Sequence, residues 1–226
     1  MLALKACCNL GLHSHGREII ASRALEARTE SSTVQNALIH FYGDSLDIAS
    51  AQRIFHSMGA ALRHRVSAVT VTAMMDALCK NAQPSKCIAL FAETHRQRQT
   101  EPDAICYAVL FNACAQSSAF EFALKTHQRL KRENKRILQK LAVQTALIAM
   151  YGTFGQIERC RQIFESVRRT QRNKFEREIA LWNAMITAHG RHGDLERVKA
   201  LHSDVMSLHE KGSLRADRNT YICGSI

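Results

Sequence analysis

Residues 143–167 read VQTALIAMYGTFGQIERCRQIFESV, and this stretch decides the fold because altered copies of it recur along the chain. Five copies can be aligned, and their equivalent residues are 36, 36, 37 and 38 positions apart. The aligned positions are Asn36, Thr72, Ala108, Thr145 and Asn183. Recurrence on this scale is typical of solenoid proteins, since one unit cannot bury its apolar face without neighbouring units.

Each copy contains two segments with the periodicity of an amphipathic helix. In the first, an apolar pair such as Leu147 and Ile148 is followed three residues later by another apolar or aromatic side chain, which defines one helical face. A break follows at Gly155, and the second segment then carries a small residue, Cys160, four positions before a large one, Phe164. Because residues four apart share a face, each unit is predicted to be a helical hairpin.

Equivalent positions in the five units are predicted to pack alike, with the small residue allowing close helix contact and the large one filling the space between units. The small residues are Ala51, Cys87, Ala123, Cys160 and Val198, and the large ones are Phe55, Phe91, His127, Phe164 and His202. Truncation of a buried phenylalanine in this set to alanine is expected to cost roughly 3–5 kcal/mol. The two histidines are interpreted as packing residues rather than as ligands.

The whole chain, residues 1–226, is interpreted as one tandem array that is cut inside a unit at both ends. The expected boundaries are a partial unit at 1–31, units at about 32–67, 68–103, 104–140, 141–178 and 179–217, and a partial unit at 218–226. Extra length in the tail of one unit, residues 166–178, is expected to extend its second helix or the following loop. No targeting leader is visible before the repeats begin.

The composition limits the kinds of partner. The net charge is +11 and the pI is about 9.6, which favours a polyanion such as nucleic acid, although a basic protein without such a partner has the same charge. Eight cysteines without any CxxC pair indicate neither a disulfide framework nor a zinc site. The longest apolar runs are too short to span a bilayer, so no membrane partner is expected.

Several segments resemble pentatricopeptide repeats. The resemblance is carried by VQNALIHFYGDSLDIASAQRIFHSM at 34–58, by residues 143–167 and by LWNAMITAHGRHGDLERVKALH at 181–202. Residues 103–130, 143–167 and 179–202 are further similar to the long, short and ordinary units of the plant-type alternation. This likeness implies a right-handed αα solenoid, the superhelix of that family.

The resemblance also implies a function. Proteins of this kind bind single-stranded RNA sequence-specifically, at about one base per repeat, and act with other RNA-processing proteins in mitochondria or chloroplasts on RNA processing, editing, stability or translation. Some members end in a deaminase-like domain. No HxE with a later CxxC, the motif of zinc deaminases, occurs in this chain, so no enzyme activity, metal or cofactor is expected here.

In the family, two residues of each repeat recognise a base. Carried over position by position, they correspond here to the aligned position of each unit and the last residue of the same unit. The implied pairs are Asn36 with Ser67, Thr72 with Asp103, Thr145 with Glu178, and Asn183 with Asp217. The family's rules imply C for the first pair, G for the second and U for the last. Ala108 with Lys140 and Thr145 with Glu178 depart from the family pattern, and no base is assigned to them. Asp103 and Asp217 alternatively serve only as helix N-caps.

Two further sets of residues are implied by the same resemblance. Val69 and Ile105 match the position that packs against base faces, so the base at Thr72 is expected to be the best held. Lys80 and Arg191 match a position suited to backbone phosphate, and solvated surface is their alternative role.

Two other functional classes remain open from the residues alone. A protein-interaction scaffold uses the same kind of helical groove without any RNA contact. An enzyme has weaker support, because the histidines of HGRHG at 189–193 coincide with the turn of a repeat and lack the spaced partners of a metal site.

Overall fold

The computed structural model describes residues 6–7, 10–22, 31–61, 67–96, 101–212 and 214, and all regular secondary structure in these ranges is helical. The helices are α1 (His13–Ser22), α2 (Ser32–Asp44), α3 (Ile48–Ala61), α4 (Ala68–Lys80), α5 (Pro84–Arg96), α6 (Ala104–Gln116), α7 (Phe120–Glu133), α8 (Lys135–Leu138), α9 (Leu141–Thr153), α10 (Ile157–Thr170), α11 (Arg172–Phe175), α12 (Ile179–Arg191) and α13 (Leu195–Glu210). Pro84 begins its helix, as expected where the missing N–H would have no partner.

The helices group into two compact units, Met1–Ala113 and Cys114–Ile226. In the first unit, α2 packs on both α3 and α4, and α4 packs on α5. In the second, α9 packs on α10 and α12, and α12 packs on α13. α2 and α9 thus contact their own second helices and the first helix of the next repeat, and α4 and α12 contact their own second helices, which confirms the predicted hairpin for these four repeats. The repeat boundaries themselves stay a prediction.

The apolar pairs of the first helices form the core. All ten side chains of these pairs are buried, and they are Leu38, Ile39, Met74, Met75, Leu110, Phe111, Leu147, Ile148, Met185 and Ile186. The predicted small residues of the second helices are buried as well, including the Cys87 and Cys160 thiols. Burial raises the pKa of Cys160 to about 11, so this thiol acts as a small apolar group rather than as a nucleophile.

Glycine allows the closest contact between consecutive first helices. A Cβ atom added at Gly43 would lie 2.6 Å from Ala77 Cβ, and one added at Gly152 would lie 2.6 Å from Ala188 Cβ. Gly43 and Gly152 occupy the same repeat position, as do Ala77 and Ala188. The two compact units therefore pack their first helices through the same pair of positions.

Left-handed backbone forms the turn at all five aligned break positions. Gly155 and Gly193 have φ of 68° and 78°, while Leu46, Ala82 and Ser118 have φ of 59°, 55° and 57°. A side chain in this region is strained by roughly 1–2 kcal/mol. The turn geometry is thus imposed by the packing of the two helices even where the sequence has no glycine.

The large residue of the second helix is buried in some repeats but not in all five. Phe91 and Phe164 are each 4% exposed, because rings from the next first helix, Tyr107 and Trp182, lie edge-on against them. The prediction for Phe55 is wrong, since this side chain is only half-buried. Its ring contact in the described part of the chain is with His56 of its own helix.

The long tail of one unit contributes its own core residue. Residues 172–175 form the short helix α11, and Phe175 is buried against Phe164 and Trp182. The Trp182 indole N–H donates a hydrogen bond of 3.1 Å to the Phe175 carbonyl oxygen. The extra residues therefore pack against Phe164 and Trp182 instead of only lengthening the second helix, α10.

Candidate nucleic-acid interface

The aligned polar positions have one common place in the fold. Each is the fifth residue of a first helix, and all are half-buried. They are Asn36 in α2, Thr72 in α4, Thr145 in α9 and Asn183 in α12, with Ala108 at the same position of α6. The contact of α2 with α4 at Gly43 and Ala77 uses the same repeat positions as the contact of α9 with α12 at Gly152 and Ala188.

Two of these side chains carry polar atoms without partners. Asn36 Oδ1 and Thr72 Oγ1 are buried, and no hydrogen bond of normal geometry reaches them in the described part of the chain. The neighbour of Thr72 is the Cys106 thiol, which is a weak hydrogen-bonding group. Burial raises the pKa of this thiol to about 11, while its interaction with the Thr72 hydroxyl acts in the opposite direction. An unpaired buried polar group costs about 1–3 kcal/mol, so both atoms favour a ligand that supplies the missing bond.

The second members of the pairs lie directly before the next first helix. Ser67 Oγ accepts a hydrogen bond of 3.2 Å from the Thr70 N–H, and Asp103 Oδ1 accepts one of 2.8 Å from the Cys106 N–H. Both residues are therefore N-caps, as the alternative interpretation expected. Asp103 uses one carboxylate oxygen for this bond, which leaves the other for a base edge. Glu178 precedes α12 without a side-chain cap bond, and Asp217 lies outside the described residues.

The two residues expected to stack on bases are exposed apolar side chains. Val69 and Ile105 are 58% and 59% exposed, and each is the second residue of its first helix. Val69 precedes Thr72 by three positions, so both side chains lie on one face of α4. An apolar surface thus borders the unpaired hydroxyl of Thr72.

Lys80 and Arg191 are the last residues of α4 and α12, not members of the turn. Lys80 Nζ lies 2.6 Å from Asp44 Oδ1 and 2.8 Å from Asp76 Oδ2. Burial acts against its charge, but these carboxylates raise the pKa of Lys80. Arg191 instead donates to the Thr153 hydroxyl at 2.5 Å. Most N–H donors of Arg191 therefore remain available to a ligand, whereas the charge of Lys80 is already neutralised by the Asp44 and Asp76 carboxylates.

A cavity of about 400 Å³ lies between α7, α9 and α10, and the sequence did not reveal it. Tyr151 and His127 are hydrogen-bonded at 2.7 Å, and the Arg159 guanidinium lies 5.3 Å from the Tyr151 ring centre. Burial lowers the pKa of His127 to about 4, and the charges of Lys131 and Arg159 act in the same direction. His127 is thus a neutral packing residue, as predicted, that also lines a cavity.

The positive charge of the chain is concentrated in the segment that supplies most residues of this cavity. Residues 125–177 contain fourteen lysines and arginines against four glutamates, a net charge of +10 out of +11. Helices α7, α8, α9, α10 and α11 lie within or overlap this range. The total charge does not locate this segment, whereas the charge counted in windows along the chain does.

The described residues contain neither a metal-binding cluster nor a membrane-spanning helix. No group of three or more His, Cys, Asp or Glu side chains there is placed to hold a metal ion. No helix in those ranges has both the length and the apolar character needed to cross a membrane.

Family models match two parts of the chain. Residues 66–116 match the PPR repeat family, and residues 180–208 match the PPR repeat. This chain carries pentatricopeptide repeats. The alternation of long, short and ordinary units stays a prediction.

Curated relatives carry the same repeat in their names. A pentatricopeptide repeat-containing protein of Arabidopsis thaliana is 26% identical over 164 residues, 73% of this chain and 20% of the relative. Another from that plant, named chloroplastic/mitochondrial, is 28% identical over 167 residues, 74% of this chain and 25% of its own length. A third, named mitochondrial, is 26% identical over 168 residues, which cover 74% of this chain and 26% of the relative. The chain thus spans between a fifth and about a quarter of these pentatricopeptide repeat proteins.

The fold is shared with a solved pentatricopeptide repeat structure. The crystal structure of PPR10 in complex with an 18-nucleotide psaJ RNA element matches with a TM-score of 0.69 and 16% identity, over 98% of this chain and 30% of that one. The likeness confirms the predicted all-α pentatricopeptide repeat solenoid.

Proposed function

We propose that this chain binds single-stranded RNA sequence-specifically, with about one base at each repeat. The observation that carries the proposal is the row of fifth residues, in which Asn36 Oδ1 and Thr72 Oγ1 lack hydrogen-bond partners among the described residues. Unstacked bases present donors and acceptors that satisfy such atoms. The amide of Asn36 can rotate to present either its oxygen or its nitrogen to a base.

Thr72 with Asp103 is the best-supported recognition pair. The free carboxylate oxygen of Asp103 and the Thr72 hydroxyl together offer the polar groups, and the exposed Val69 and Ile105 side chains offer apolar contact to the base faces. We assign G to this pair, U to Asn183 with Asp217, and C to Asn36 with Ser67, following the family's pairing.

The biological setting follows the relatives. Two of them carry mitochondrial or chloroplastic names, and the matched PPR10 structure contains RNA. We place this chain in a mitochondrion or chloroplast, as one array of repeats over residues 1–226 that acts in RNA processing, editing, stability or translation. Further proteins of RNA processing are its expected partners.

Binding to short RNAs tests the proposal directly. Fluorescence anisotropy of the 226-residue chain with RNAs that differ at one base should show a preference for G at the position facing Thr72. Thr72→Ala removes the unpaired hydroxyl and should reduce that preference by about 1–3 kcal/mol, the usual worth of a good base contact. The matched control is Thr170→Ala, an exposed threonine at the end of α10, which should leave the preference intact.

Two outcomes would contradict the proposal. If Thr72→Ala weakens binding equally for all four bases, the fifth residues do not recognise bases. If the unmodified chain shows no RNA affinity at 50 mM salt, where phosphate contacts are strongest, the scaffold alternative is favoured.

A further inference from the structure

The charged groups of residues 125–177 are unevenly paired. Each of the four glutamates in this segment forms an ion pair with one arginine. The pairs are Arg129–Glu133, Arg161–Glu158, Arg168–Glu165 and Arg172–Glu176. The other ten cations have no carboxylate partner in the part of the chain that the structure describes, and nine of them are exposed. They are Lys125, Lys131, Arg132, Lys135, Arg136, Lys140, Arg159, Arg169, Lys174 and Arg177. Such a concentration of unpaired charge attracts a polyanion.

This cationic surface is separate from the row of fifth residues. Gln144, Leu147 and Tyr151 line the cavity from α9, and at about 100° per residue they lie roughly 100°, 160° and 120° around that helix from Thr145. The walls come from the second helices α7 and α10. A ligand held there would not compete with a base at Thr145.

The cavity has polar groups besides its charges. Lys131 and Arg159 line it together with the side-chain amides of Gln128, Gln144 and Gln162. The Gln144 amide oxygen already accepts a hydrogen bond from Gln171, at 3.3 Å. Amides pair with the donor and acceptor edges of nucleobases, and the volume of about 400 Å³ lies within the range of small-ligand sites. An acidic peptide would satisfy the same cations, and its backbone would pair with the amides. The choice of RNA therefore rests on the RNA binding proposed above, and displacement by an acidic polypeptide is the result that would contradict it.

We propose that residues 125–177 form a second RNA-binding surface, on which the unpaired cations bind the phosphate backbone and the cavity between α7, α9 and α10 receives one unstacked nucleotide. Lys131 and Arg159 bind its phosphate, and Gln128 and Gln162 bind its base edge. The surface holds RNA that flanks the segment bound by the fifth residues. The identity of the ligand rests on the proposed RNA binding, while the surface and its charge do not depend on base recognition.

The experiment compares RNAs of two lengths. A short RNA covers only the fifth-residue row, and a longer one adds about ten unpaired nucleotides on each side. The double variant Lys131→Ala/Arg159→Ala should lower affinity for the long RNA about tenfold at 100 mM salt and reduce the slope of log K against log salt by about 0.7, the value for the one single-strand phosphate that both residues bind. Affinity for the short RNA should stay within about twofold. Thermal unfolding by circular dichroism shows that the variant still folds.

The matched control is Arg17→Ala/Lys86→Ala, which removes one arginine and one lysine from exposed sites on α1 and α5. It should not change the salt slope for the long RNA. A second, charge-neutral variant, Gln128→Leu/Gln162→Leu, should weaken the long RNA about threefold to tenfold, since two base contacts are lost. Photocrosslinking of 4-thiouridine RNA should label peptides within residues 124–166.

Several results would overturn the inference. Equal losses in the control and the Lys131/Arg159 variant would show that only total charge counts. Displacement of the long RNA by polyglutamate or by anionic phosphatidylglycerol vesicles at equal charge concentration would show an unspecific anion surface. The experiment also distinguishes a failure of base recognition from a failure of the second surface. If only base recognition fails, Thr72→Ala leaves base preference on the short RNA unchanged, while the Lys131→Ala/Arg159→Ala variant still weakens binding of the long RNA.

Discussion

At the scale of single residues, the proposed RNA interface is carried by polar atoms that the fold leaves without partners. Several helical threonines, such as Thr94 and Thr126, donate to the carbonyl oxygen four residues earlier, but Thr72 does not. Asn36 Oδ1 and Thr72 Oγ1 are unpaired among the described residues. By contrast, Lys80 is paired with Asp44 and Asp76, whereas Arg191 at the same repeat position donates to the Thr153 hydroxyl.

The two phosphate candidates should differ in their effect on RNA binding. Arg191→Ala and Lys80→Ala each remove one positive charge, so any difference between them reports direct contact. We expect Arg191→Ala to weaken binding about threefold to fivefold and Lys80→Ala by about twofold or less, because Lys80 must first leave two carboxylates. Anisotropy at a fixed 100 mM salt measures both. A larger effect at Lys80 would show that phosphate displaces its carboxylate partners.

His127 should make stability depend on pH. Its pKa in the folded chain is about 4, because burial disfavours the imidazolium, against roughly 6.5 when unfolded. Between these values the unfolded chain binds a proton that the folded chain does not, so the free energy of unfolding falls as pH decreases from about 6.5 to 4. Above 6.5 this penalty is absent.

His127→Gln should flatten that decline, as measured by urea unfolding at pH 7, 6, 5 and 4.5. Some dependence remains in the variant, since burial also lowers the pKa of His189. His56→Gln, an exposed histidine of α3, is the control and should leave the profile as it was. An identical profile for His127→Gln would mean that His127 is protonated in the folded chain.

At the scale of helices, each repeat is held by contacts along its first helix. The apolar pairs are buried in all five units, and one glycine position brings consecutive first helices together at Gly43 and Gly152. The following turn adopts left-handed backbone at every aligned position, whether glycine is present or not. Helix packing therefore determines the local backbone more strongly than the intrinsic preference of the turn residue does.

Gly152→Ala should destabilise the second compact unit. The added Cβ would meet Ala188 Cβ at 2.6 Å and its Cα at 3.1 Å, and overpacking of this kind costs typically 1–3 kcal/mol, less the gain of up to about 1 kcal/mol from helix propensity. A lower midpoint of urea unfolding is the expected measurement.

Gly190→Ala is the matched control, since it lies at the same repeat position and, among the described residues, its added Cβ would come within 4 Å of Val198 Cγ2 alone, at 3.9 Å. We expect it to be neutral or to raise the midpoint slightly. Equal effects of the two substitutions would show that helix contact at Gly152 does not limit packing.

At the scale of the whole molecule, the period of the sequence was enough to predict hairpins, the buried pairs and the family. It was enough because every unit repeats the same local pattern, and agreement among five copies outweighs the ambiguity of any one. The environment of single positions was less predictable. Phe55 occupies the same slot as Phe91 but is only half-buried, since burial there depends on what the next unit presents.

The sequence by itself determined the repeat and the helix pairs, because both follow from spacing along one chain segment, and it predicted through the family resemblance which positions face RNA. Only the tertiary structure decided which cations are neutralised, where a cavity opens and which polar atoms lack partners. Those properties join residues from different units, such as Lys80 with Asp44 or His127 with Tyr151. The spacing of residues along the chain does not specify which side chains from separate helices come into contact, and those contacts determine the electrostatics of the surface.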